Sequence, residues 1–266
     1  MSKNMDHMFG KTILVVAHPD DEALWFSSVL GTVDAIVICY LNPHGKPGLG
    51  RARQASLQEH VHKNIVCLGV DESGVFEKGL FDDKTVTEYG IEVEAGKKRR
   101  ENYRENFDVL VKTLRTTLLG YTDVITHNPW GEYGHAEHIQ VYAAIKHLSE
   151  RMNYNVWFTN YCSNRTIKLM SKLMSTRRLE YVPLKTNAML AKEMMAIYQK
   201  NGCSTWYEDW QWFDEESLIR DNHDTPGKRA SGQRLPLNCI FMPVSIQPGK
   251  QGWRSRIFGS LSPRSR

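Results

Sequence analysis

No stretch of the sequence approaches the roughly 18 consecutive apolar residues that a membrane-spanning helix needs, which excludes an integral membrane segment. No C-x-x-C occurs, and the five cysteines (Cys39, Cys67, Cys162, Cys203 and Cys239) are scattered and odd in number. A disulfide framework or a cysteine-based zinc site is therefore not expected. Cys39 and Cys67 sit in apolar runs, as small core residues do. Gly45 to Arg51 contains neither G-K-[ST] nor G-x-G-x-x-G, so it reads as a plain loop despite its glycines. There is no internal repeat, no heptad seam and no clear linker. The polar start, Met1 to Lys11, lacks a secretory apolar core, which points to a cytoplasmic protein.

A strong charge of one sign is missing as well. The chain has 34 Lys+Arg against 30 Asp+Glu, a formal net charge of +4. Lys250, Arg254, Arg256, Arg264 and Arg266 fall within residues 250–266, where there is no acid. Without those five, 29 basic residues face 30 acidic ones. The basic excess belongs to the tail, and nucleic acid is not an expected partner. Lys97 to Arg100 reads as a solvated helix start, balanced by Glu101 and Glu105.

What is present is alternation of strand and helix signals. Residues 12–17, 35–41, 65–68 and 123–126 are short continuous apolar runs, the pattern of strands buried on both faces. Residues 156–159 read as a fifth strand. Helices are predicted near 21–31 and 51–63, and from the stripe Tyr103, Phe107, Leu110, Leu114 and Leu118 ahead of Gly120. Two more follow near 139–148 and 187–200. This order predicts an α/β fold with a Rossmann-like, mostly parallel sheet flanked by helices and an active site at the C-terminal ends of the strands. One domain over residues 1–249 is expected, with 70–102 an insertion or lid and 250–266 a basic tail.

The first strand run leads directly into Ala17-His18-Pro19-Asp20-Asp21-Glu22. Pro19 suits a first helical turn, and His18 and Asp21, three residues apart, converge across it. An imidazole with a carboxylate is part of a Zn²⁺ site. Acidic residues at a helix start also complement its dipole, but that does not account for the histidine. The fourth strand run leads into His127-Asn128-Pro129-Trp130-Gly131-Glu132-Tyr133-Gly134-His135-Ala136-Glu137-His138. His135 and His138 share one helix face, and one of them completes a three-ligand set with His18 and Asp21. The other stays free as an acid or an electrostatic stabiliser. Three protein ligands and an open position describe a catalytic zinc site.

The pair A-H-P-D-D-E and G-H-A-E-H resembles the PIG-L/LmbE-like family of zinc-dependent N-acetylglucosaminyl deacetylases, over roughly residues 11–150. The resemblance implies that His18, Asp21 and His138 bind zinc and that Asp20 is the general base. It implies a protonated His135 that stabilises the oxyanion or protonates the leaving amine, and a Tyr133 that polarises the scissile carbonyl. Arg53 resembles the arginine of the family's R-x-x-E stretch and, with Glu137, is a candidate for substrate binding. Two departures stand out: Glu137 replaces the usual Asp, and Ser56 replaces the Glu after Arg53. The implied activity is removal of the acetyl group from an N-acetylated sugar, either free or linked to a nucleotide, lipid or antibiotic. His/Asp ligation also accepts Fe²⁺. The alternatives are a zinc amidase for another amide, such as a thiol-sugar conjugate, and a non-catalytic Rossmann-like binding module. The aromatic stretch Trp206 to Phe213 is either core packing or a sugar platform.

Overall fold

Two apolar faces on one strand organise the molecule. In β1 (Thr12–Val16) every residue is buried. Ile13 and Val15 point into one core, and Leu14 and Val16 into another on the opposite side. Each such side chain, taken fully out of water, contributes roughly 1.5–3 kcal/mol. The computed structural model describes residues 9–76, 78–82, 85–175, 180–221 and 234–243.

In chain order the elements are β1, α1 (Asp21–Trp25), β2 (Ala35–Asn42), α2 (Pro47–Gln58) and β3 (Ile65–Asp71). A small hairpin follows, β4 (Val86–Thr87) with β5 (Gly90–Ile91), then α3 (Lys97–Thr117), β6 (Asp123–Thr126) and α4 (Ala136–Ser149). The C-terminal part adds β7 (Asn155–Thr159), β8 (Tyr161–Ser163), α5 (Ile167–Met174), β9 (Tyr181–Lys185), α6 (Ala188–Lys200), β10 (Glu215–Arg220) and β11 (Asn238–Ile240). The main sheet has seven strands in the order β3-β2-β1-β6-β7-β10-β9. The first five are parallel, and β10 and β9 extend the sheet antiparallel. The predicted Rossmann-like, mostly parallel α/β architecture is what forms. Helices α3 and α4 cover the core built on Ile13 and Val15, and α6 packs on the other with α1.

Some boundaries differ from the sequence reading, each for a tertiary reason. The helix predicted over 21–31 stops at Trp25. Ser27 Oγ and the Ser28 N–H instead donate to the carboxylate of Glu216 at 2.7 and 2.9 Å, which pulls the chain into turns. Helix α2 begins at Pro47, so the Gly45–Arg51 stretch read as a loop supplies its first turn. Pro at the first helical position suits this, because its missing N–H has no partner there anyway. Within 70–102, Val75, Ile91 and Val93 are buried against Tyr103 and Trp130, so this stretch is anchored in a third apolar cluster. The basic tail lies outside the described residues. Among the described residues no helix is long and apolar enough to cross a membrane.

Strand order positions the site. The chain runs from β1 to β2 on one side, and later returns to place β6 on the other side of β1. Ligands in open α/β sheets bind beyond the carboxyl ends of the strands where the order reverses in this way. Val15 pairs with Thr126, so the segments starting at Ala17 and His127 leave the sheet side by side.

Candidate active site

The link between the two segments is direct: the Ala17 N–H donates to His127 Nε2 at 2.9 Å. Beyond it the chain makes a sharp turn. Asp20 takes φ 103°, a backbone conformation unusual for a residue with a side chain. The turn is held by Glu22, whose carboxylate accepts from the Asp20 N–H at 3.1 Å and from the Tyr198 hydroxyl at 2.7 Å. Asp21 accepts from the His18 N–H at 2.7 Å and from Trp25 Nε1 at 3.1 Å. His18 Nδ1 lies 3.3 Å from Asp21 Oδ2, and its Nε2 lies 3.1 Å from Glu137 Oε2. Burial opposes a charge on this ring, but Asp21, Glu137 and Glu72 outweigh it and raise His18 to about 10.

The second segment is organised by Glu132, a fully buried residue at φ 46°. Its Oε2 lies 2.7 Å from His138 Nδ1 and 3.2 Å from His127 Nδ1. Its Oε1 accepts from the Asn128 N–H, and Asn128 Oδ1 accepts from the Glu132 N–H, both at 3.0 Å. Asn128 and Trp130 donate in turn to the Tyr161 carbonyl of β8 at 2.8 and 2.7 Å. His135 is the N-cap of α4, its Nδ1 accepting from the Glu137 N–H at 3.3 Å. Its proton therefore sits on Nε2. Burial, with His18 and His138 beside it, pushes His135 well below the ordinary histidine value. That direction favours a neutral ring, whereas the resemblance implies a protonated one. The cause is crowding of imidazoles in an apolar setting.

The donor set fits a metal. Ligand atoms of His18, His135 and His138 lie within 4.8 Å of one another, as do those of Asp21, His127 and His138. His138 joins the two groups. Its Nδ1–H is taken by Glu132, so its Nε2 is a lone pair, buried and without a hydrogen-bond partner. That lone pair faces Asp21 Oδ1 at 3.3 Å. Two buried acceptors so placed are complementary to a cation between them. His127 is not available as a ligand, because Ala17 and Glu132 occupy both its nitrogens. In a third group, of His18, Glu72 and Glu137, the carboxylates are committed elsewhere: Glu72 to Arg53 at 2.6 Å, Glu137 to the Ser73 N–H and hydroxyl at 2.7 and 2.6 Å.

His18, Asp21 and His135 of these groups line a cavity of about 620 Å³, together with Asp20, Arg53 and Tyr133. Burial and the nearby carboxylates raise Tyr133 well above the usual phenol value, so it stays protonated and can donate. Burial and the neighbouring Asp21 and Glu22 raise Asp20 to about 8, against opposing contributions from Arg53 and from Thr205, which donates at 2.9 Å.

A family model described as "PIG-L: GlcNAc-PI de-N-acetylase" matches residues 13–149. The chain belongs to the PIG-L family. It is 28% identical over 167 residues to the 1D-myo-inositol 2-acetamido-2-deoxy-alpha-D-glucopyranoside deacetylase of Corynebacterium diphtheriae, covering 54% of this chain and 53% of that protein. The chain thus spans about half the length of this curated relative. Among solved structures, the zinc inhibited form of the teicoplanin deacetylase Orf2 matches with TM-score 0.49 and 10% identity, over 80% of this chain and 99% of that one. The N,N'-diacetylchitobiose deacetylase from Pyrococcus horikoshii matches with TM-score 0.42 and 12% identity, over 75% and 72%.

The two departures of this PIG-L chain from the family pattern have structural answers. Ser56, in place of Glu, bonds the Ala52 carbonyl and Cys203 Sγ, and the acidic partner of Arg53 is Glu72 from beyond β3. The carboxylate of Glu137, a candidate substrate contact in the sequence, is engaged by His18 and Ser73. Trp206 lines the cavity and packs edge-on against Tyr133 and Trp25, at 4.8 and 4.9 Å between ring centroids. Sequence reasoning missed Glu132, His127 and Glu72 as parts of this site. Each is an ordinary polar residue in a loop or at a strand end, and its partners are set by strand order.

Proposed function

We propose that this PIG-L chain is a metal-dependent hydrolase that removes the acetyl group from an N-acetylated amino sugar of the N-acetylglucosamine type. The observation that carries this reading is the buried, unpartnered Nε2 of His138 facing Asp21 Oδ1, where Asp21 itself lines a cavity together with Asp20, Tyr133 and His135. A volume of about 620 Å³ lies within the usual range for small-molecule sites.

His18, Asp21 and His138 would hold the ion, which is zinc on this donor set, with Fe²⁺ compatible with it. When bound, such an ion supplies Lewis-acid polarisation of the acetamide carbonyl and a more acidic water. As a ligand His18 would be neutral, as ligation requires. Asp20 takes the proton of the attacking water, and a carboxyl near 8 is suited both to accept a proton and to return it near neutrality. The Tyr133 hydroxyl donates to the acetamide oxygen as negative charge develops there. His135 does the same from Nε2 as a neutral imidazole, so Asp20 rather than His135 carries the proton to the leaving nitrogen. Both donors act mainly on charge absent from the ground state. Arg53, braced by Glu72, binds sugar hydroxyls from the cavity wall.

The test is incubation of the zinc-loaded chain with N-acetylglucosamine free or linked to inositol, a nucleotide or a lipid, with acetate and free amine both quantified. Equal release of the two from at least one acetamido sugar is the expected result. Cleavage only of non-acetyl amides makes the chain an amidase of another class. A folded protein that cannot be loaded with zinc or Fe²⁺ and cleaves neither overturns the enzyme reading.

A further inference from the structure

Glu132 has no role in any of the steps above, yet it is the most constrained side chain near them. It is fully buried, adopts positive φ without being glycine, and its carboxylate sits between two imidazoles. Its backbone is clamped on both sides: Asn128 Oδ1 accepts its N–H, and Thr166 Oγ1 donates to its carbonyl at 2.8 Å. Thr166 belongs to the turn before α5, so elements on two sides of the site hold one residue in an unfavourable conformation. Backbone strain of this kind persists only where the surroundings over-determine it.

The imidazoles it joins have different fates. The rings of His127 and His138 are stacked, with centroids 3.9 Å apart. A carboxylate is an acceptor only, so each Nδ1 that faces Glu132 carries a proton. For His127 the remaining Nε2 accepts the Ala17 N–H. For His138 the remaining Nε2 is the unpartnered atom. One carboxylate thus writes the same tautomer on two rings. The neighbour of His127 makes that ring a strut between β1 and β6, while the lack of such a neighbour leaves His138 as a ligand.

We propose that Glu132 is the positioning residue of this centre: by accepting from both Nδ1 atoms it locks His127 and His138 as Nδ1–H tautomers, aims the His138 Nε2 lone pair at the metal position beside Asp21, and keeps His127 out of the ligand set. This rests on the reading of His138 as a ligand. Carboxylates behind metal-bound histidines commonly contribute about 10–100-fold in metal affinity. Here the same group also selects which of two stacked histidines is the ligand. In Glu132→Gln one amide orientation sets its N–H₂ against the Asn128 N–H, and the other keeps Asn128 bonded but points N–H₂ at the two Nδ1 atoms, favouring the opposite tautomer.

The experiment is long-range ¹H–¹⁵N correlation of histidine-labelled, metal-free full-length protein, with zinc affinity measured by chelator competition. Wild type is expected to show His127 and His138 as Nδ1–H tautomers. Glu132→Gln is expected to shift at least one of them and to weaken zinc binding about 10–100-fold. Glu132→Asp, which keeps the charge on a shorter arm, should lie between. Glu132→Gly relaxes the backbone while deleting the carboxylate, and should bind zinc as poorly as Glu132→Gln. A wild-type His138 protonated on Nε2, or unchanged zinc affinity in folded Glu132→Gln, overturns the proposal. The wild-type spectrum needs no variant to fold. None of these readouts uses a substrate, so absence of deacetylation would count against the proposed function and not against this assignment.

Discussion

Asp20 sits where backbone, charge and chemistry meet. Its φ of 103° is far from the ordinary regions for a side-chain-bearing residue, and its neighbours hold it there through Glu22. Asn tolerates positive φ better than most residues, so Asp20→Asn should fold and still accept the Thr205 hydroxyl. It removes only the acceptor of a proton. Zinc content by elemental analysis is expected to match wild type, with turnover reduced about 10²–10⁴-fold. A variant with full zinc and full activity would assign the base to another group.

A second residue far from the chemistry yields a pH prediction. Burial alone would raise the carboxyl of Asp123, but donors from Trp157, Asn155, Gly10 and Thr122 at 2.8–3.0 Å hold it below the ordinary carboxylate range. A depressed folded-state value means that the contribution to stability is present above the unfolded-state value, about 3.9. It is lost as pH falls through the lower folded-state value. Asp123→Asn should therefore be less stable than wild type at pH 7, with the gap closing below about pH 4. Chemical denaturation at pH 7 and pH 3 measures both. A gap that grows on acidification would contradict the bonding described.

At the scale of elements, the loop from β6 to α4 is where small substitutions should have large effects. Gly131 has φ 71°, and a Cβ there would lie 2.6 Å from the His135 carbonyl oxygen. Gly131→Ala thus combines a strained backbone with a clash against the N-cap of α4. A loss of about 1–3 kcal/mol is expected on denaturation, with zinc affinity falling as the positions of His135 and His138 spread. Gly120, also at positive φ, has open space around a built Cβ. Gly120→Ala should share the strain and leave zinc affinity unchanged, which separates loop geometry from general destabilisation.

Elements also differ in how legible they were. Strands β1, β2 and β6 were readable because burial on both faces demands continuous apolar residues, and the sequence supplies them. Strands β9 and β10 were not. The β9 sequence Tyr181-Val182-Pro183-Leu184-Lys185 alternates exposed and buried and contains a proline, which only an edge strand tolerates. The β10 sequence opens with Glu215-Glu216, which reads as surface. Glu216 is nevertheless 2% exposed, because Ser27, Ser28 and Tyr161 satisfy it. That also ended α1 early, an outcome no window around residue 26 could anticipate.

For the whole molecule a metal bound at the proposed site would couple local ligation to global stability. The proposed ligands lie in the segments that follow β1 and β6, and a metal that binds only the folded arrangement would stabilise it by mass action, about 2.7 kcal/mol at a hundredfold excess over Kd. Zinc should raise the melting temperature of wild type in a concentration-dependent way by calorimetry. His18→Ala and His138→Ala should purify without stoichiometric zinc and lose that increment. A zinc increment that survives both substitutions would place the metal elsewhere. The +4 charge of the full sequence takes no part in this, since the basic excess lies in residues 250–266 and the ligands are neutral and acidic groups of the body.

The sequence by itself determined which chemistry is available and roughly where in the chain. Apolar runs marked the buried strands, and His18, Asp20, Asp21, His135 and His138 announced themselves by following those runs. Tertiary structure decided which acid serves which base. Glu137 is 119 residues from His18 and holds it, Glu72 replaces the missing partner of Arg53, and Glu132 turns one histidine into a strut and leaves its neighbour open. The physical reason is that hydrophobic periodicity is local and survives in a string of residues. Pairing of buried charges depends on β6 lying beside β1, and that adjacency exists only once the sheet has formed.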